Sequence, residues 1–322
     1  MSTKKTSRRH MIKTGILGAA TLTTASVLGR TPSRPETDTA SQATPEFAGQ
    51  VAFVTGGARG IGLGAAEELA RSGADIALFD IAKAQVPGVG YALASTDDLE
   101  AARTKIESLG VRCLAIRGDV RDRAALDAAV QQTVSAFGRL DMLIVNAGVT
   151  QVGVIEDFTP LELQAVYDIN VLGAIKTVQA AAPTMQRQRS GRIVVLSSGL
   201  GRVGNALFPV YASTKWALIG FAKSAALAYG PDGVRCNVVA PGLVDTKLAD
   251  NPYVLGAMLP DAAQPTFAQA SEMSASGNPL GFGHLEVADI ARAIKLFCSE
   301  ATAKVTGEVF DVSAGANARS VA

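Results

Sequence analysis

The sequence predicts an α/β fold in which helices cover both faces of a parallel sheet. Its apolar runs of strand length are continuously apolar, as expected of strands that are buried on both faces. Helical patterns separate these runs, and strict alternation of strand and helix favours a doubly wound sheet in a single domain. The seven predicted strands are Val51–Thr55, Ile76–Asp80, Arg112–Ile116, Met142–Val145, Ile193–Leu196, Arg235–Val239 and Val309–Val312. The predicted helices lie near residues 61–72, 97–109, 123–137, 160–187, 210–229 and 286–299.

Composition supports a large buried core and limits the classes of partner. Hydrophobic residues make up 48% of the chain and charged residues 18%, and the formal net charge is +1. This balance gives no case for nucleic-acid binding. With three cysteines, two histidines and no Cys-x-x-Cys pair, the sequence predicts no metal site.

The first 46 residues are predicted to be a targeting segment rather than part of the fold. Residues 1–29 combine a basic front, which contains Arg8, Arg9 and Lys13, with a short apolar stretch. That stretch is too short to span a bilayer, and the paired arginines resemble a twin-arginine export signal. Residues 30–46 are predicted to be a linker, and the folded domain is expected over residues 47–322. We therefore expect export across the inner membrane, with a cytoplasmic protein that carries a basic tail as the alternative.

Two connections between the predicted elements are unusually long. The stretch from Asp80 to Asp119 holds about a dozen residues more than one crossover helix needs. Residues 246–284 show only weak periodicity. Long loops in compact domains are usually lids or binding segments, so we expect a substrate lid near 246–284.

A glycine-rich turn follows the first predicted strand and opens a helix. Residues 55–62 are Thr-Gly-Gly-Ala-Arg-Gly-Ile-Gly. Gly56, Gly60 and Gly62 allow a tight turn and close approach to a pyrophosphate, and the helix N-terminus offers free N–H groups. Together with Arg59 and Ile61 they are predicted to cradle a dinucleotide, although a turn without a ligand is the alternative. The fold prediction thereby sharpens to a Rossmann-type domain.

Asp80, at the end of the second predicted strand, bears on the choice of dinucleotide. A carboxylate there accepts hydrogen bonds from the adenosine ribose and repels a 2′-phosphate, which favours NAD over NADP. The guanidinium of Arg59 acts in the opposite direction, because it could meet a phosphate. We expect Asp80 to dominate.

Three polar side chains downstream predict proton-transfer chemistry. Ser198 follows the fifth predicted strand, and Tyr211 and Lys215 lie four residues apart, on one helix face. A phenol with a pKa of about 10 is a poor base at neutral pH. A neighbouring ammonium stabilises the phenolate, so we expect Lys215 to lower the pKa of Tyr211. Ser198 is expected to hydrogen-bond the substrate oxygen.

These features resemble the short-chain dehydrogenase/reductase family along nearly all of residues 48–315. The resemblance implies an adenine contact at Asp119 and Val120 and a cofactor contact at Asn146-Ala147-Gly148. It implies that Asn170 lies in a distorted helix and holds a water that links Lys215 to solvent. It also implies that Pro241, Gly242, Val244 and Thr246 lie in a segment that clasps the nicotinamide. The family's strand order is 3-2-1-4-5-6-7, and its members are usually tetramers. Val145 departs from the pattern, because the family usually has a second Asn there.

A finer resemblance concerns the two long connections. The insertion after Asp80, with Tyr91, and the segment after Thr246, with Leu259-Pro260-Asp261, are similar to the carveol-dehydrogenase type of the family. Members of that group are associated with mycofactocin and hold NAD without exchanging it. The resemblance implies apolar secondary alcohols or ketones as substrates.

The sequence therefore predicts an NAD-dependent alcohol dehydrogenase or ketone reductase. The alternative is a non-catalytic dinucleotide-binding sensor or scaffold. The expected partners are a small alcohol or ketone, further copies of the chain in a tetramer or dimer, and an external electron acceptor. We expect no stable membrane span.

Overall fold

The sheet has the predicted strands and the predicted order. The computed structural model describes residues 44–318, so the predicted signal segment and most of the predicted linker lie outside the described residues. Parallel strands lie in the order β3-β2-β1-β4-β5-β6-β7, which confirms a single Rossmann-type domain. The strands are β1 Val51–Thr55, β2 Asp75–Asp80, β3 Cys113–Arg117, β4 Met142–Val145, β5 Gly191–Leu196, β6 Val234–Pro241 and β7 Val309–Val312.

Helices connect the strands as the alternation predicts. Within residues 44–318, no helix is both long and apolar enough to cross a lipid bilayer. The helices are α1 Gly60–Arg71, α2 Thr96–Glu107, α3 Arg123–Phe137, α4 Pro160–Tyr167, α5 Gly173–Gln188, α6 Pro209–Tyr229, α7 Pro252–Met258, α8 Phe267–Ala275 and α9 Val287–Cys298.

The core lies on both faces of the sheet, which explains why the strands are apolar throughout. Phe53 and Phe79 pack on one face, where α3 and α5 cover the sheet. Val54 and Leu78 pack on the other face, together with α1 and α9. Since successive side chains of a strand point to opposite faces, both sets must be apolar.

The predicted helix near 160–187 is divided into two by a π-helical turn, Asp168–Leu172, which lies between α4 and α5. A π turn holds one more residue than an α turn, and such turns are frequent at functional sites. The distortion that the family resemblance implied at Asn170 is therefore present.

The segment 246–284 contains two short helices, α7 and α8, that weak periodicity did not predict. Polar side chains cap both N-termini: Asn251 accepts from the N–H of Val254, and Thr266 accepts from that of Gln269. Such caps favour helices too short to show periodicity. A hydrogen bond joins the residues that flank this segment: the N–H of Leu285 donates to the carbonyl of Leu243 at 2.8 Å. We call residues 246–284 the lid.

Candidate active site

The glycine turn between β1 and α1 leaves no room for side chains where it meets the rest of the site. Gly56 and Gly60 have φ values of +66° and +58°, which glycine adopts without strain. A Cβ on Gly62 would overlap the carbonyl oxygen of Gly56. The turn therefore brings bare backbone and the N-terminus of α1 to the cavity wall, which is the arrangement that binds phosphate oxygens.

Asn146, directly after β4, fastens this turn from the neighbouring strand. Its Nδ2 donates to the carbonyls of Thr55 at 2.9 Å and Gly56 at 3.1 Å. The Thr55 hydroxyl in turn accepts from the N–H groups of Asn146 and Ala147 at 3.1 and 3.2 Å. The predicted Asn-Ala-Gly segment thus lies in the cofactor cavity and also holds the glycine turn in shape.

Asp80 and Arg59 both line the cofactor cavity, where the sequence placed them, but they have different hydrogen-bond partners. Asp80 is 8% exposed, and its carboxylate accepts from the N–H groups of Ala58 at 3.1 Å and Ala82 at 3.0 Å. Burial raises the pKa of this carboxyl, although the two hydrogen bonds oppose the shift. The Arg59 guanidinium donates to the carbonyl of Ala92 at 2.7 Å, so it fastens the insertion after β2. The charge of Arg59 also acts on Asp80, because it opposes the rise in the pKa of that carboxyl.

The insertion after Asp80 forms one wall of the cofactor cavity. Tyr91, Leu93 and Ala94 line it together with Asp80 and Asp119. The remaining predicted cofactor residues in this cavity include Gly56, Gly60, Ile61, Val120, Ala147, Gly148 and Thr246.

Asp119 is held by a neighbour on its own loop. Arg121 donates to both of its carboxylate oxygens, with Nη2 to Oδ2 at 2.6 Å. Burial acts to raise the pKa of Asp119, but the Arg121 contacts outweigh it and hold the pKa below the ordinary value. The carboxylate is therefore charged and held in one orientation at the wall of this cavity.

The three predicted catalytic residues come together at a second cavity, of about 570 Å³. Ser198 follows β5 and Tyr211 lies on α6, and both residues line this cavity. Lys215, one turn further along α6, has its Nζ 5.5 Å from the centre of the Tyr211 ring. The same ammonium donates to the carbonyl of Leu196 at 2.9 Å. Two hydroxyls and one ammonium thus line the same cavity.

Burial controls the protonation of the pair on α6. It raises the pKa of Tyr211 to about 12, and the neighbouring Ser198 hydroxyl opposes the shift only in part. The pKa of Tyr211 is thus raised overall, whereas the sequence predicted a lowered pKa, because residue spacing does not show burial. Burial also lowers the pKa of Lys215, to about 8. At neutral pH the phenol is protonated and most of the lysine carries its charge.

Asn170 lies in the π-helical turn, and its side chain hydrogen-bonds two other segments of the site. Its Oδ1 accepts from the N–H of Val149, and its Nδ2 donates to the carbonyl of Val149, each at 2.8 Å. The same Nδ2 donates to the hydroxyl of Thr214 at 3.1 Å. Asn170 therefore joins the loop after β4 to α6. The water that the family resemblance implies at this position stays a prediction.

The segment after β6 lies between the two cavities. Pro241, Gly242, Val244 and Thr246 line the larger cavity, and Thr246 lines the smaller one as well. Ile61, Asn146, Gly148 and Leu248 are likewise shared. The two cavities therefore adjoin, with the glycine turn and Asp80 at one end and Tyr211 at the other.

The predicted residues did not include the contacts that join the insertion to the lid. Tyr91 stacks on Tyr253 of α7 with ring centres 6.2 Å apart. The Tyr253 hydroxyl donates to Oε1 of Gln151 at 2.8 Å, and the Gln151 amide donates to the carbonyl of Gly88. The only sequence signal was the presence of aromatic residues in both long connections, which does not reveal a pairing.

Comparisons with known proteins identify the family of this chain. The short chain dehydrogenase family model matches residues 50–253. The (-)-trans-carveol dehydrogenase of Rhodococcus erythropolis is 35% identical over 269 residues, which are 83% of this chain and 97% of that enzyme.

Two solved structures resemble the fold closely. A carveol dehydrogenase from Mycobacterium avium in complex with NAD has a TM-score of 0.82 and 32% identity, and the match covers 85% of this chain and 99% of that one. A short chain dehydrogenase from Mycobacterium paratuberculosis bound to NAD has a TM-score of 0.78 and 34% identity, with the same coverage. The chain therefore belongs to the short-chain dehydrogenase/reductase family of oxidoreductases.

Proposed function

We propose that this protein is an NAD-dependent dehydrogenase or reductase that acts on a neutral secondary alcohol or ketone. The observation that carries the proposal is the junction of the two cavities, where Tyr211, Ser198 and Lys215 face a space continuous with the glycine turn. A sensor or scaffold has no need of a complete proton-transfer site.

The residues of the smaller cavity fit NAD. The glycine turn leaves space that a Cβ would fill, and the first turn of α1 offers N–H groups to a pyrophosphate. The charge of Asp80 favours a ribose with free hydroxyls over one with a 2′-phosphate. Arg59 is bonded to the carbonyl of Ala92, and its charge opposes only in part the effect of burial on the pKa of Asp80. NAD-bound relatives support the same choice.

The chemistry divides between the bound dinucleotide and the chain. NAD supplies the hydride acceptor, and its reduced form the donor. Tyr211 gives a proton to the carbonyl oxygen during reduction and removes one during oxidation. Ser198 fixes that oxygen by a hydrogen bond. Lys215 places a positive charge near the phenol and stabilises the phenolate that forms when the proton leaves.

The lining of the larger cavity supports a neutral substrate. Lys215 and Tyr211 are its only ionisable lining residues among residues 44–318. The apolar lining includes Leu200, Phe208 and Met258. Among the described residues that line this cavity, no further cation is placed to bind a carboxylate or phosphate of a substrate. The similarity to carveol dehydrogenases also supports a neutral substrate.

A kinetic screen tests the proposal. Purified protein should reduce small cyclic ketones with NADH far more efficiently than with NADPH, and it should oxidise the matching secondary alcohols. Anionic ketones of similar size serve as controls and should react poorly. Absence of any reaction with neutral ketones or alcohols, with either nucleotide or with an artificial dye as acceptor, would overturn the proposed activity.

We also propose that the protein is exported after folding around NAD and keeps that NAD. The basic leader supports export, and free NAD is a cytoplasmic metabolite, so an exported enzyme needs a retained cofactor. The insertion supports retention, because Tyr91, Leu93 and Ala94 cover the cavity that holds Asp80. The electrons must then pass to an external acceptor.

The test is mass spectrometry of exported, extensively dialysed protein. Near-stoichiometric NAD, and dye-linked activity without added NAD, are the expected results. Cofactor-free protein that turns over only with millimolar NAD, or intact full-length chain found solely in the cytoplasm, would contradict this proposal without affecting the proposed activity.

We propose that the protein forms a homo-oligomer, because α4 and α6 carry apolar side chains that are exposed on the surface of the single chain. Several large apolar side chains there are exposed: Leu161 55%, Tyr167 41%, Trp216 42% and Leu227 82%. Covering them by a second copy removes apolar surface from water. Sedimentation velocity should show a dimer or tetramer, and a monomer at micromolar concentration would contradict the proposal.

A further inference from the structure

The segment that follows β7 forms part of the wall of the larger cavity. This segment comprises residues 313–318, and Ala316 and Asn317 line the cavity together with the proposed proton-transfer groups. The carbonyl of Ala314 accepts from the N–H of Leu280 at 3.1 Å. The segment therefore joins the lid to the edge strand of the sheet.

Asn317 bonds the backbone directly after Ser198, although the two residues are far apart in the sequence. Its Nδ2 donates to the carbonyl of Gly199 at 3.1 Å. Gly199 begins the short turn Gly199–Gly201, in which the N–H of Gly201 donates back to the carbonyl of Ser198 at 2.8 Å. The Asn317 amide thus holds the turn that carries the Ser198 side chain into the site.

Gly199 leaves the space that this amide occupies. A Cβ at position 199 would lie only 2.9 Å from Nδ2 of Asn317, which is closer than non-bonded carbon and nitrogen atoms approach. Because glycine has no Cβ, the side chain can reach the backbone here. The bare backbone of the turn and the amide of Asn317 therefore fit one another.

Asp311 on β7 fixes the other side of the Asn317 amide. Its Oδ1 accepts from Nδ2 of Asn317 at 3.0 Å, and its Oδ2 accepts from Nη1 of Arg202 at 2.8 Å. Arg202 directly follows the turn Gly199–Gly201. One carboxylate on the edge strand is thus connected to both ends of the turn, to its start through Asn317 and to its end through Arg202.

We propose that Asn317 is a positioning residue, which holds the turn Gly199–Gly201 so that Ser198 meets the reacting oxygen of the substrate. This inference rests on the proposed alcohol and ketone chemistry and deepens it. A hydrogen bond to a reacting oxygen is effective only at the correct geometry, and a displacement of about 1 Å can cost about a hundredfold in rate.

A double-mutant cycle tests the coupling between Asn317 and Ser198. Each protein is assayed with NADH and cyclohexanone, or with whichever neutral ketone the wild type reduces fastest. Asn317→Ala should lower kcat about tenfold while the dissociation constant for NAD stays unchanged. In protein that already carries Ser198→Ala, the same substitution should change kcat by less than about twofold, because no hydroxyl is left to position.

Two further variants separate this role from a general contribution to the fold. Asn317→Asp keeps the size of the side chain but removes the donor and places a second carboxylate beside Asp311, so it should lower kcat at least as much as Asn317→Ala. Gln188→Ala is the matched control, because the Gln188 amide donates to the carbonyl of Leu140 at 2.7 Å and lines neither cavity. It should change kcat by the same small factor with and without Ser198→Ala.

The outcomes separate this proposal from the proposed function. An effect of Asn317→Ala that is equally large with and without Ser198 would overturn the Asn317 proposal alone. Loss of bound NAD, or a variant that does not fold, would assign Asn317 to the cofactor or to the fold and would also overturn it. Wild-type protein that reduces no neutral ketone would overturn the proposed function and this inference with it.

Discussion

The dinucleotide side and the lid side of the site are built in opposite ways. On the dinucleotide side, Gly62 allows no side chain and Asp80 is 8% exposed with both carboxylate oxygens bonded. On the lid, Met273, Leu280 and Phe282 are 48%, 69% and 60% exposed. One side is thus backbone and buried hydrogen bonds, and the other is exposed apolar side chains of the lid.

This difference follows from what each side must recognise. A dinucleotide has invariant phosphates and riboses, so rigid backbone groups at fixed positions recognise it well. Apolar side chains on a separate segment can be exchanged without disturbing the sheet, which suits a variable substrate. The two sides meet at Thr246 and Leu248, which line both cavities, and at Tyr253, which contacts the insertion.

The largest expected effect is at the junction of the two sides. Tyr211→Phe removes the proposed proton donor, so kcat should fall by roughly 10²–10⁴-fold while NAD binding stays nearly intact. Steady-state kinetics and NAD titration measure the two properties separately. A mutant that retains over half of the wild-type kcat would remove Tyr211 from the proposed chemistry.

The dinucleotide side should respond strongly to a change of charge. Asp80→Asn keeps the size of the side chain but removes the carboxylate, so the dissociation constant for NAD should rise about ten- to hundredfold, as for loss of a charged hydrogen bond. Discrimination against NADP should weaken at the same time. Titration with both nucleotides is the measurement, and unchanged affinity for both would show that Asp80 does not contact the ribose.

A pH profile tests the charge of Lys215. Its pKa is lowered to about 8, so the ammonium is present below that pH and is lost above it. Ketone reduction should fall about tenfold per pH unit above 8, because the developing phenolate then loses its neighbouring cation. Lys215→Arg keeps the charge and should remove this decline. A wild-type profile that stays level up to pH 10 would contradict the assignment.

The smallest expected effect is at the contact between the lid and the insertion. Tyr253→Phe keeps the ring on Tyr91 but removes the hydroxyl bonded to Gln151, so we expect two- to tenfold faster release of NAD, as for loss of one neutral hydrogen bond. Stopped-flow release is the measurement. As a control, Tyr167→Phe changes a half-exposed tyrosine whose hydroxyl bonds Ser213 on α6 and no residue of the lid or the insertion. Equal release rates in wild type and Tyr253→Phe would mean that the lid does not retain the cofactor.

Residues that act through local backbone shape were predicted well. The glycine turn, Asp80 at the end of β2 and the Tyr211–Lys215 spacing depend on a strand end or a helix turn, so their positions follow from neighbours in the sequence. The two lid helices were missed because their N-caps were the only signal and each has fewer than ten residues. The pKa of Tyr211 was predicted in the wrong direction, because spacing shows a nearby cation but not burial.

The sequence by itself determined the parallel sheet, its glycine turn and the residues that can transfer a proton, because hydrophobic periodicity and short spacings encode them. Only the tertiary structure decided the partner of Arg59, which is the carbonyl of Ala92, 33 residues away. It alone paired Tyr91 with Tyr253 and left Thr150 without a partner. Those outcomes depend on how distant segments pack, and the free energy of packing belongs to the whole fold rather than to any local pattern.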